Sequence, residues 1–293
     1  MTPHPPASKA ALVTEHAAAK INLALHITGQ RDDGYHLLDT LVVFTQAGDT
    51  VTAAPSAEDR FSMTGAFAET LMANSDNLVL RARALMRRLH PALPPVALSL
   101  DKSLPVASGI GGGSADAAAT LRVLARMLAI STDDEGLFTA ALSLGADVPM
   151  CLPSRPARVQ GIGEAMTPVL GLPSLHLVLV NPGVSVSTPS VFKALMEKYN
   201  APLPDLPGNV AFVPFVEWLC QTRNDLQQPA SGQAPQIADA IAALEAEGAA
   251  LVRMSGSGAT CFGLFPTAQA AQGAAHAIAS ASPTWYVKAT RTV

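Results

Sequence analysis

The chain has 293 residues, 49% of them hydrophobic and only 14% charged, which supplies a sizeable core and excludes disorder as the dominant state. A net charge of −4 offers no basic face for nucleic acid, and no apolar run approaches the roughly 20 residues of a membrane span. Three scattered cysteines, Cys151, Cys220 and Cys261, without a CxxC pair, exclude a zinc knuckle and fit a reducing compartment.

The length predicts two domains, at roughly 100–200 residues each. The opening MTPHPPASKAALVTEH lacks the apolar stretch of a signal peptide, so the expected location is the cytoplasm. Residues 1–9 read as a Pro-containing tail. Ala17–Thr28 alternates as a strand, and Gly29–Gly34 is a turn cluster. Leu37–Phe44 reads as a second strand, ended by Gly48-Asp49. The run LVLRARALMRRL has helical period, with Asp76 or Asn77 as its N-cap.

Val96–Leu100 is a short strand, Ser114–Ile130 a helix, and Thr132–Leu144 a second helix stopped by Gly145. The Pro- and Gly-rich stretch after Cys151 reads as a boundary between domains. Leu175–Val180 is a β-like run, and residues 200–214, with four prolines, read as loop. Ile237–Glu247 is helical. LVRMSGSGATCFGLF has the pattern strand, glycine loop, strand. A helix over Ala268–Ser280 and a terminal strand, WYVKATRTV, close the chain. Strands alternating with helices indicate an α/β or α+β protein in two halves.

The sharpest signal is Gly109-Ile110-Gly111-Gly112-Gly113-Ser114, between a strand and a helix. Four glycines in five positions cost backbone entropy. They are justified where φ is positive or a ligand touches the backbone. The helix that follows, with Leu121, Leu124 and Leu128 on one side, brings its N-terminus to the same point. Loop amides and a helix N-terminus together make a phosphate cradle. Ser114 can offer its hydroxyl to phosphate, to a metal ion or to the helix as a cap. No Lys follows the glycines, so the Walker pattern is absent, and Ser114 breaks the dinucleotide fingerprint GxGxxG. The competing reading is a flexible turn.

Three further positions carry chemistry. Lys20 stands in an apolar-flanked strand, where the plain reading is a snorkelling side chain. Tyr35-His36 ends a polar turn, where the plain reading is a surface turn. Asp147, in Gly145-Ala146-Asp147-Val148-Pro149, either caps a turn or is partly buried among apolar neighbours. A buried carboxylate needs a partner, and Lys20 is the candidate.

PVASGIGGGSADAAA resembles the signature loop of the GHMP kinase superfamily at Pro105, Gly109, Gly111, Ser114, Ala117 and Ala118, with Ile110 in place of the usual Leu. AKINLALHITGQRDDGYH, GADVP, Gly161–Glu164, Asn181–Pro189 and the third glycine motif Ser255–Ala259 resemble one branch of that superfamily. The branch acts on a small molecule bearing a cytidine diphosphate group, in non-mevalonate isoprenoid precursor synthesis. The resemblance is weakest over residues 50–75 and 200–235.

The resemblance implies a two-domain α+β fold of mixed sheets with helices, residues 10–160 forming the ATP-binding and catalytic domain and 161–293 the second. ATP and substrate would share the cleft between them. It implies ATP-dependent phosphorylation of a 2-hydroxyl, with Lys20 and Asp147 as the catalytic pair and Mg²⁺ as cofactor. ATP would be bound by Asn77, Lys102, Pro105, Val106, Ala107, Ser108, Gly109, Ile110, Gly111, Gly112, Gly113, Ser114 and Ala115. The substrate would be bound by Asn22, Tyr35, His36 and Asp147. No metal ligand is fixed; Ser114 is the one candidate. A homoserine- or mevalonate-type kinase of the same superfamily, and a non-catalytic ligand-binding regulator, stay open as alternatives.

Overall fold

The computed structural model describes residues 12–72, 77–132, 134–208 and 210–293. The tail over residues 1–9 and the capping candidate Asp76 lie outside these. The chain forms two compact units that interleave along the sequence. Among the described residues, the first comprises 12–17, Asp49–Ser103 and Gly113–Leu152; the second comprises Ala18–Gly48, Leu104–Gly112 and Pro153–Val293. Neither unit is one continuous stretch of the chain. The reason lies in two long strands, β1 (Val13–Gln30) and β2 (His36–Pro55), each of which contributes residues to both units.

β1 is buried without a break from Ala17 to Ile27, so both of its faces are covered, as in strands at the centre of a layered protein. β2 does not stop at Gly48-Asp49. Thr50–Pro55 pairs antiparallel with β4 (Val96–Asp101), and β3 (Arg60–Thr64) lies parallel to β4. This ladder overrides the local turn signal of Gly-Asp.

In the first unit, α1 (Ala68–Met72) precedes α2 (Leu78–Leu89). Asn77 caps α2 by accepting the Val79 N–H at 2.8 Å, and Val79, Ala82, Leu85 and Met86 form its buried stripe. α3 (Gly112–Met127) starts inside the glycine run rather than at Ser114, because first-turn N–H groups have no intrahelical partner to lose. α4 (Glu135–Leu144) is capped by Asp134, whose carboxylate accepts the Leu137 N–H at 3.1 Å; the cap sets the start later than Thr132. α5 (Val148–Cys151) is a single buried turn. Arg122 of α3 is buried and donates to Glu15 at 2.8 Å and to the Cys151 carbonyl at 2.8 Å.

In the second unit, Leu38–Val42 of β2 pairs with β5 (Ala157–Gly161), which pairs with β6 (Ala165–Pro168). The Pro- and Gly-rich stretch expected as a boundary is therefore largely a hairpin. A second sheet has the order β10 (Tyr286–Arg291), β7 (His176–Asn181), β9 (Cys261–Phe265), β8 (Leu251–Met254), all antiparallel. β7 explains its own apolar run. Leu177 and Leu179 join one core with Ile21, Phe215 and Phe262, while Val178 and Val180 join another with Ile237, Leu244 and Ile278. The helices are α6 (Thr188–Lys193), α7 (Phe212–Cys220), α8 (Gln227–Gln233), α9 (Gln236–Ala246) and α10 (Ala268–Ala281). α7 begins within the expected loop, with Pro214 in its first turn.

Candidate functional site

In the second unit, β1 and two glycine loops are knitted together. The Lys20 N–H donates to the Ile110 carbonyl at 2.9 Å. The Asn22 N–H donates to Ser255 Oγ at 3.1 Å, and that hydroxyl donates to the Gly109 carbonyl at 3.1 Å. Ser255 is fully buried. Gly109 has φ +75° and a Cβ there would stand 2.5 Å from the Ser255 carbonyl oxygen. Gly111 has φ +66° and its Cβ would stand 3.2 Å from Lys20 Cβ. Both glycines therefore have a reason inside the protein itself.

The loop is tied by hydrogen bonds within itself and to the second glycine motif. Ser108 donates to the Pro105 carbonyl at 2.7 Å and accepts the Thr260 N–H on its own carbonyl at 3.1 Å. Ala107, at φ +50°, continues the pattern, so that alternate residues 107, 109 and 111 are left-handed. Alternation of this kind turns successive backbone N–H groups to one side, as in an anion-binding nest. Holding an alanine left-handed costs about 1–2 kcal/mol, a strain of the kind that persists where surrounding structure enforces it.

Asn22 is 3% exposed. Its Nδ2 donates to Thr40 Oγ1 at 2.9 Å, while its Oδ1 is buried without a hydrogen-bond partner. Such an acceptor awaits a donor.

Tyr35 and His36 follow the turn Arg31–Gly34, closed by the Arg31 N–H to the Tyr35 carbonyl at 2.8 Å. Tyr35 is 63% exposed. The His36 ring packs on Phe192 with centroids 4.9 Å apart, and its Nε2 is buried without a hydrogen-bond partner. Burial, with Lys198 nearby, holds the His36 pKa below its ordinary value, so the ring is neutral near pH 7. Phe192 was not legible as a site residue. Its only signal is its place just after the Ser187-Thr188-Pro189 motif.

In the first unit, Lys102 is 2% exposed. Its Nζ lies 2.5 Å from Asp49 Oδ2 and 2.7 Å from Asp116 Oδ2. Burial pushes the Asp116 carboxyl up to about 8; Lys102 pulls against that rise and Asp49 adds to it. The Lys102 ammonium is thus engaged inside the unit, and its backbone N–H goes to the Thr64 carbonyl at 2.7 Å. Asn77 is likewise engaged as the α2 cap. Ser114 and Ala115 stand in the first turn of α3.

Asp147 is half-buried and precedes α5, but its side chain makes no capping bond, so the plain reading of a helix cap does not hold. Lys20 and Asp147 fall in different units. Among the described residues no three His, Cys, Asp or Glu side chains converge as a metal cage. The side chains do not by themselves fit a resident divalent cation, and no ligand is assigned to one.

The sequence matches the GHMP kinases N terminal domain over residues 77–155 and the GHMP kinases C terminal family over residues 215–283. A 4-diphosphocytidyl-2-C-methyl-D-erythritol kinase of Mesorhizobium japonicum is 51% identical over 282 residues, covering 96% of each chain. A crystal structure of 4-(cytidine 5'-diphospho)-2C-methyl-D-erythritol kinase superposes with TM-score 0.79 at 31% identity, over 96% of this chain and 99% of that one. The mevalonate kinase of L. major shares the fold alone, at TM-score 0.67 and 14% identity over 98% of each chain. This chain belongs to the GHMP kinase family and, within it, to the group of 4-diphosphocytidyl-2-C-methyl-D-erythritol kinases.

Proposed function

We infer that the chain transfers the terminal phosphoryl group of ATP to the 2-hydroxyl of 4-diphosphocytidyl-2-C-methyl-D-erythritol. The products are ADP and the 2-phosphate ester, in isoprenoid precursor synthesis by the non-mevalonate route. The observation that carries the residue assignment is the loop over residues 105–111, which has alternate left-handed residues and runs directly into α3.

Phosphoryl transfer asks a protein for in-line positioning and charge stabilisation rather than covalent help. The amides of Gly109–Gly113 and the start of α3 hold the ATP phosphates. Lys20, whose stem packs on Gly111, gives positive charge to the transferring group. Asp147 accepts or orients the proton of the attacking hydroxyl. The Asn22 Oδ1, the Tyr35 face and the His36 ring bind the alcohol substrate. Mg²⁺ would come as part of the ATP substrate, where it would offset phosphate charge. The reading includes the cytoplasm as compartment and no nucleic acid or membrane as partner. No helix among the described residues is long and apolar enough to cross a membrane.

A coupled assay of ADP release, run with the diphosphocytidyl substrate, homoserine and mevalonate, tests the assignment. Turnover is expected with the first alone. Preference for either of the others moves the chain to another activity of the family, and ATP binding without any turnover makes it a regulator.

A further inference from the structure

Asp49, Lys102 and Asp116 come from three separate places in the first unit: β2, the residue after β4 and the second turn of α3. Their side chains are 0%, 2% and 3% exposed. One ammonium serves two carboxylates, and the second Asp49 oxygen accepts the Ser103 N–H at 2.6 Å. The first unit ends at Ser103, before the glycine loop, and resumes at Gly113, just before Asp116. Both ends of the loop are therefore tied to one buried cluster.

An ion pair out of water is a poor way to stabilise a fold, since desolvation offsets most of its attraction. This cluster is more extravagant than a pair. It holds a surplus carboxyl, and Asp116 Oδ1 is buried without a hydrogen-bond partner. The surplus makes sense if each carboxyl anchors a different element to the same lysine.

We propose that Asp49 and Asp116 are positioning residues for ATP, clasping through Lys102 and Ser103 the two ends of the glycine loop so that it is in its nucleotide-binding form before ATP arrives. The proposal rests on the loop being the ATP cradle of the preceding subsection. A loop ordered in advance loses less freedom on binding, so the clasp acts on nucleotide affinity and not on the chemical step. An asparagine at 116 keeps an oxygen for Lys102. A leucine of similar size cuts that link. At position 49, asparagine has one oxygen for two donors, so one anchor is lost.

The test compares Asp116→Leu, Asp116→Asn and Asp49→Asn in the full-length enzyme, by kcat, KM for both substrates, ATP Kd by calorimetry and thermal unfolding. Asp116→Leu is expected to raise ATP KM and Kd by about tenfold or more, with the diphosphocytidyl KM held within about twofold. Asp116→Asn restores ATP binding to within about threefold of the unaltered enzyme. Asp49→Asn shows an ATP-selective loss, and decides the matter alone if Asp116→Leu fails to fold. ATP binding unchanged in the folded variants overturns the clasp, as does an equal rise in both KM values or an asparagine at 116 as impaired as the leucine. If the unaltered enzyme binds no ATP, the cradle reading falls and takes the clasp with it. ATP binding that survives every variant defeats the clasp alone.

Discussion

Gly111 lies against the stem of Lys20, with the position of its missing Cβ 3.2 Å from Lys20 Cβ and 3.4 Å from Cε. The loop and the candidate catalytic lysine are thus one packed object. A side chain at 111 strains a φ of +66° and pushes the lysine.

Gly111→Val is therefore expected to damage two properties together. Losing two amide–phosphate contacts at about 1.5–3 kcal/mol each weakens ATP by roughly two orders of magnitude or more. Displacement of Lys20 lowers kcat as well. Calorimetry with ATP and steady-state kinetics check this. Unchanged ATP affinity would return the loop to an ordinary turn.

Lys20 and Asp147 are both proposed to serve catalysis. Asp147→Asn and Lys20→Met should each lower kcat by about two orders of magnitude or more, and the double variant should lose little further, as for residues that act together. Circular dichroism confirms that the fold survives. Near-normal turnover in Asp147→Asn, or additive losses, would separate the two.

The exposed Tyr35 ring and the neutral His36 ring held on Phe192 are assigned to the cytosine base. Tyr35→Ala removes a stacking face worth about 1–3 kcal/mol. KM for the diphosphocytidyl substrate should rise about 5- to 150-fold, while ATP KM hardly moves. His36→Ala should also reduce discrimination between cytidyl and uridyl substrates. A loss confined to ATP would show that the hairpin serves the phosphoryl donor.

His26 gives a pH dependence of stability. It is 2% exposed, its Nδ1 lies 2.9 Å from the Ala201 carbonyl, and its Nε2 accepts the Arg223 N–H at 3.2 Å. Both nitrogens are used in the neutral form. Burial holds the pKa below 6.5, with Arg223 adding to the shift and Asp225 and Asp39 opposing it. The folded state thus takes up the proton later than the unfolded chain. The contribution is complete above pH 6.5 and fades as pH falls below it. The slope for one proton is at most about 1.4 kcal/mol per pH unit. Urea unfolding between pH 7 and 5 should show a shallower decline in His26→Gln. Identical slopes would acquit His26.

The sequence alone determined whatever depends on a few neighbouring residues. Four glycines before an apolar-striped helix announced the loop, the Asp76-Asn77 pair announced a helix start, and Leu175–Val180 announced a strand, because left-handed backbone, caps and side-chain periodicity are local properties. Only the tertiary structure decided the rest. It carried β2 through Gly48-Asp49, folded the supposed boundary into β5 and β6, interleaved the two units and seated His36 on Phe192. It also drew the Lys102 ammonium into a cluster with Asp49, 53 residues away in sequence, and joined Asn22 to Ser255 across 233 residues. Hydrogen bonds and ion pairs between distant segments depend on which strands become neighbours, and no local pattern around either partner encodes that choice.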